Sequence, residues 1–273
     1  MALDPRMMSR AQAADAHTDV GLRQYMLGVY NHMTIGLAIT GLIALGASFL
    51  AIQGGQLTGF GYAIYVSPLK WVIMLAPIGM VFLFAARIQS MASSTAQTVF
   101  WIYAAMMGLS LSSIFLVYTG ESITRVFFIA AGMFAGTSLY GYTTKKDLTG
   151  MGSFLFMGLI GILIASVVNI FLASSALQFG ISVIGVLVFA GLTAYDTQSI
   201  KNEYWEGDDS ETQAKKSIYG ALRLYLDFIN MFIIMENQQE EKFLVVFGTQ
   251  EQKQELHGCL LKFILILLLL NLI

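Results

Sequence analysis

Seven separate apolar runs, each close to the length that crosses a lipid bilayer, constrain this chain more than any other feature. They lie at residues 30–52, 70–88, 98–118, 123–142, 153–174, 178–200 and 217–235. A helix needs about 20 apolar residues to traverse the hydrocarbon core. No stretch shows the short alternating apolar segments of an outer-membrane barrel. Only 12% of the residues are charged and the mean hydropathy is +0.69, whereas a soluble domain carries about 25% charged residues. The breaks between the runs, such as QGGQLTG, YTGES and TTKKDLTGM, are short. These features predict an all-α integral membrane protein, a compact seven-transmembrane-helix bundle with sequential neighbours antiparallel. A polar N-terminal tail over 1–29 precedes the transmembrane domain at 30–235, and an atypical tail follows over 236–273.

Orientation follows from Lys and Arg in the short loops. With the N-terminus inside, the inner side receives Arg6, Arg10, Arg23, Arg87, Lys145, Lys146, Lys201, Lys215 and Lys216, and the outer side only Lys70 and Arg125. This asymmetry predicts a cytoplasmic N-terminus. Residues 1–29 lack the apolar core of a cleavable signal peptide, so the first span is expected to act as an uncleaved anchor. The tail reads MENQQEEKFLVVFGTQEQKQEL and then the apolar HGCLLKFILILLLLNLI. An eighth partial span, an interfacial segment and non-native sequence all fit it.

Small residues recur at every fourth position: Gly36, Thr40, Ala44 and Ser48 in the first span, Ala104, Gly108 and Ser112 in the third, Gly132 and Gly136 in the fourth. Such spacing lets helix backbones approach closely in lipid. It predicts tight packing and no chemistry. The single cysteine, Cys259, excludes an intramolecular disulfide. None of His17, His32 and His257 is mid-span, which argues against a histidine-bound metal or a serine–histidine dyad in the membrane.

Ionisable groups inside spans are costly and mark candidate functional sites. Asp196 lies one turn from the inner end of the sixth span, and Asp227 lies inside the seventh, with Arg223 four residues before it. Arg87 closes the second span on the same side, while Glu121 and Arg125 sit at the outer end between the third and fourth spans. Asp196, Asp227, Arg223 and Arg87 thus share the inner half of the bilayer. Two carboxyl groups brought together in low dielectric titrate as a pair. Ionised carboxylates are also the hard oxygen ligands that Ca²⁺ prefers, so Asp196 and Asp227 are candidates for both a proton-sensitive gate and a cation site. The plainer alternative is that Asp196 caps a helix end and Arg223–Asp227 is a structural i,i+4 pair.

The segments GLTAYDTQSIKNEY and YGALRLYLDFINMF resemble the signature of the transmembrane Bax inhibitor motif, or Bax inhibitor-1-like, family. VYNHMTIGLAITGL, YTGESI and YGYTTKKDLTGMGSFLFMGLIGI are similar to it as well, so that the resemblance covers residues 22–235. It implies a seven-helix bundle with a central last helix, and a pH-dependent Ca²⁺ leak. It also implies a pH-sensing pair that falls on Asp196 and Asp227, with Arg87 in FLFAARIQS as the latching arginine; Arg223 and Glu121 are supporting candidates. It implies no cofactor beyond Ca²⁺ as a permeant or bound ion. The short tail and compact loops resemble bacterial members, and the resemblance implies a bacterial inner membrane as the location. One bacterial relative modulates a membrane-bound AAA protease, and eukaryotic relatives are associated with suppression of cell death. The alternative function is therefore a non-conducting membrane regulator, docking through the acidic loop NEYWEGDDSE.

Other classes fit less well. An intramembrane aspartyl protease also needs two aspartates on neighbouring helices, but RLYLDF lacks a Gly-rich stretch before the second. No lysine lies in the last span to carry retinal, and no pair of broken helices marks the matching halves of a transporter.

Overall fold

A computed structural model describes residues 10–237, with side chains from Val20 onward. The expected tail beyond residue 237 lies outside the described residues. The chain is built from helices α1 (Arg10–Ala51), α2 (Gly59–Tyr65), α3 (Leu69–Arg87), α4 (Ser93–Leu111), α5 (Ile114–Val117), α6 (Gly120–Thr143), α7 (Thr149–Leu172), α8 (Ser175–Asn202) and α9 (Ser210–Glu236). Among the described residues, seven stretches are long and apolar enough to cross a membrane: Val20–Ala51, Leu69–Ser90, Ser93–Val117, Gly120–Thr143, Thr149–Leu172, Ser175–Asn202 and Ser210–Glu236. In lipid every backbone polar group must be satisfied internally, and the i→i−4 ladder of each helix does so.

The last helix is the core. In its most apolar 18 residues 83% are buried, against 22–50% in the six other spans. α1, α4, α6 and α8 surround α9; α7 packs on α8, and α3 packs chiefly on α4. α9 can therefore carry Tyr225, Asp227 and Asn230 without presenting them to lipid. Its start is fixed by Asp209, whose carboxylate accepts from the Thr212 N–H at 3.2 Å. It begins seven residues before the expected 217 (217 − 210).

The other departures are local. α1 starts at Arg10 rather than near residue 30, and Tyr25, Met26 and Val29 of the expected polar tail are buried. Tyr25 packs on Tyr204 with ring centroids 5.6 Å apart, so this stretch rides on the α8–α9 connection. The break QGGQ forms a two-residue hairpin, Ile52 opposite Leu57, with Gly54 and Gly55 at φ 60° and 77°. Both central residues of such a turn need positive φ, which glycine adopts without steric cost.

The small-residue stripes are only partly packing surfaces. Gly108 backs onto the Thr40 backbone and joins α4 to α1. Thr40 Oγ1 donates to the Ala104 carbonyl at 2.9 Å and accepts from the Tyr225 hydroxyl at 2.7 Å, which ties α1, α4 and α9 together. Gly132 and Gly136, by contrast, face open space. On α6 the close approach is made by Gly141, whose Cα sits against the Ala194 backbone of α8.

Candidate functional site: a buried aspartate pair

The α8–α9 pair brings together the two acids that the sequence singles out. Asp227 is buried at 2% exposure, and the Asp196 side chain is 13% exposed. Both carboxyl groups line one cavity between α8 and α9. Two carboxyl groups that share a low-dielectric site do not ionise independently, so they are treated as a coupled pair rather than as two separate anions.

Arg223 supplies the countercharge. Its Nη2 donates to Asp196 Oδ1 at 2.6 Å, and its Nη1 donates to Glu203 Oε1 at 2.8 Å. Sequence spacing offered an i,i+4 pair with Asp227, but the observed ion pair runs across to α8. Glu203, at the C-cap of α8, stands two helical turns beyond Asp196 and is 37% exposed. The order Glu203, Arg223, Asp196, Asp227 therefore leads from the rim of the bundle to its core. The sequence reading missed Glu203; its offset of seven residues from Asp196 on one helix face was the available signal.

A cavity of about 180 Å³ lies over this ladder, with room for several waters. Its walls include Val81 and Ala85 of α3, Phe156 of α7, and Tyr195 and Tyr219 beside the aspartates. α3 and α7 thus form the outer wall over the polar centre.

The remaining candidates lie elsewhere. Arg87 is exposed at the end of α3, and the guanidinium on the aspartates is that of Arg223. Glu121 forms an exposed pair with Arg125 at 2.8 Å, at the start of α6, apart from the aspartates. Glu236, where the sequence suggested that a polar tail begins, is 1% exposed and accepts from the Ser122 hydroxyl at 2.9 Å. As a Ca²⁺ cage the pair is poor. Ca²⁺ takes about 6–8 oxygen ligands, no group of three or more His, Cys, Asp or Glu forms a metal cluster among the described residues, and Arg223 covers Asp196.

The geometry separates the two arginines experimentally. Arg87→Ala is expected to change stability by less than about 0.5 kcal/mol, as for a surface substitution. Thermal unfolding in detergent checks this; a loss of several-fold more would place Arg87 in the buried network.

A family model described as "Inhibitor of apoptosis-promoting Bax1" matches residues 22–237. The chain is 46% identical over 231 residues to an uncharacterized protein of Caulobacter vibrioides, covering 81% of this chain and 90% of that one. It is 48% identical over 223 residues to an uncharacterized protein of Rickettsia prowazekii, covering 80% and 89%. It is also 45% identical over 218 residues to the inner membrane protein YbhL of Escherichia coli strain K12, covering 79% and 90%.

Proposed function

The chain belongs to the Bax inhibitor-1-like family of membrane proteins, and from that premise we propose that it is a proton-sensitive cation leak gated by Asp196 and Asp227, with Ca²⁺ as the cargo. The observation that carries this reading is the pair of buried carboxyl groups, Asp196 and Asp227, on one cavity in the bundle core. With the proton in place, Asp196 and Asp227 tie α8 to α9, and Arg223 balances the remaining charge. Loss of the proton leaves two carboxylates side by side in low dielectric, with one guanidinium already shared with Glu203. Repulsion then favours separation of α8 from α9. The freed oxygens offer a passing cation transient hard ligands. Flux should rise with pH. The Lys and Arg distribution supports a cytoplasmic N-terminus, and the likeness to YbhL supports a bacterial inner membrane.

In this reading the protein is not an enzyme. Aspartyl proteases use a dyad sharing one proton, but here a guanidinium occupies Asp196. A second reading, a non-conducting regulator of a membrane-bound protease or of a stress or cell-death response, draws on one observation. Trp205 in the acidic α8–α9 loop is 65% exposed, and exposed aromatics commonly anchor partners.

The test is Ca²⁺ uptake by proteoliposomes of purified protein, from mildly acidic to mildly alkaline pH. Wild type is expected to leak more as pH rises. Asp227→Asn keeps a hydrogen-bond donor to Asp196 but has no proton to lose, so its flux should be low and flat with pH. A wild type as tight as empty liposomes rejects the leak and leaves the regulatory reading.

A further inference from the structure

A cavity larger than the one at the aspartate pair lies elsewhere in the bundle. A groove of about 710 Å³ runs between α1 and α6, within the range of about 300–1,000 Å³ typical of small-molecule pockets. It exists because α1 packs on α4 and α9 while α6 packs on α8 and α9, leaving a seam between them. Met26, Phe134 and Ala135 line it, and Leu27 and Leu139, 51% and 62% exposed, form rims open to the lipid side.

The groove is polar at two places. Arg23 and Tyr142 stand at the end of the bundle where the first span begins and the fourth ends. Lys201 adds a second cation there. Its Nζ donates to the Tyr142 carbonyl at 2.8 Å and lies 5.4 Å from the Tyr142 ring centroid. No carboxylate lines the groove among the described residues. The floor carries a hydroxyl chain across three helices. Tyr30 bonds Ser138 at 2.7 Å, Ser138 bonds Thr197 at 2.9 Å, and Thr197 donates to the Thr193 carbonyl at 2.7 Å.

We propose that this groove binds one anionic phospholipid from the leaflet at that end, with an acyl chain along Met26, Phe134 and Ala135 and the phosphate beside Arg23 and Lys201. An apolar slot open to the hydrocarbon takes the chain, and a cationic mouth at headgroup level takes the phosphate. Basic pockets between transmembrane helices hold anionic headgroups by the same physics. The site is independent of the leak reading. Its floor ends on Thr197, the residue after Asp196, so a bound lipid sits against the helix that carries the pair.

Native mass spectrometry of the purified full chain, titrated with phosphatidylglycerol or with phosphatidylcholine of the same acyl chains, tests it. Wild type should retain one phosphatidylglycerol in preference to phosphatidylcholine. Arg23→Glu, an exposed substitution, should lower that preference by about tenfold. Ala135→Trp, which fills the slot, should lower retention of both lipids. Equal retention of the two lipids by wild type, or a phosphatidylglycerol preference unchanged in Arg23→Glu, would overturn the proposal. Unchanged retention in Ala135→Trp would remove the groove as the site.

Discussion

Arg223→Ala is expected to destabilise the bundle by about 3–5 kcal/mol, the range for removing one partner of a buried ion pair. The Arg223 side chain is only 21% exposed and holds Asp196 and Glu203 at 2.6 and 2.8 Å. Truncation leaves the Asp196–Asp227 unit with its charge uncompensated in the core. The cost is therefore mostly that of the orphaned carboxylate, and neutralising it should return much of the loss. Asp196→Asn in the Arg223→Ala background is expected to be more stable than Arg223→Ala alone, a non-additivity typical of residues in contact. Glu203→Gln should cost less than about 1 kcal/mol, because that end of the ladder is partly solvated. Denaturation in mixed micelles measures these three variants beside Arg87→Ala. If Arg223→Ala costs no more than Arg87→Ala, the assignment of Arg223 as countercharge falls.

Gly141→Val should cost about 3 kcal/mol, at the upper end of overpacking penalties. A Cβ at this position lands on the backbone carbonyl of Ala194. Backbone cannot rotate aside as a side chain can, so α6 and α8 must separate. Separation also strains the Ser138–Thr197 bond between the same helices. Gly136→Val on the same helix is the control, since nothing lies within 4 Å of its added Cβ. Valine is a better helix former than glycine, so Gly136→Val should be neutral or mildly stabilising. Equal effects of the two substitutions would mean that helix propensity, not the α6–α8 contact, governs both.

The contrast between these glycines shows what a linear sequence encodes. Hydrophobic length is a property of one segment, so the seven spans and the QGGQLTG break were legible before any contact was known, while the hairpin at QGGQ was not. Gly132 and Gly136 had the fourfold spacing of a packing face, yet they face outward. Which face of α6 meets α8 depends on helix rotation, and spacing alone does not set it. The acids Asp196 and Asp227 were legible because isolated charges in apolar runs are expensive. Their counterion was not. Arg87 and Arg223 stand at similar nominal depths, but α3 packs chiefly on α4, whereas α9 lies directly against α8. Adjacency of helices, not depth, selected Arg223. Glu236 was misassigned for a related reason: an acid followed by polar residues reads as a tail, and only the Ser122 hydroxyl across from it reveals a buried end.

The enclosure of α9 also bears on how the protein is made. The ribosome delivers the seven described spans in order, so the helix on which α1, α4, α6 and α8 pack arrives after them. Its most apolar 18 residues have a mean hydropathy of 1.4, equal to the fourth span and below the 1.8–2.5 of the other five. Arg223 and Asp227 each add about 2.5–3.5 kcal/mol to the cost of inserting a segment at the bilayer centre. α9 is thus poorly suited to entering lipid unaided and well suited to entering a waiting shell. Until it is released, the faces of α1, α4, α6 and α8 that pack on α9 have no partner helix. A chain that stalls before residue 210 would lack the one helix that those four faces share.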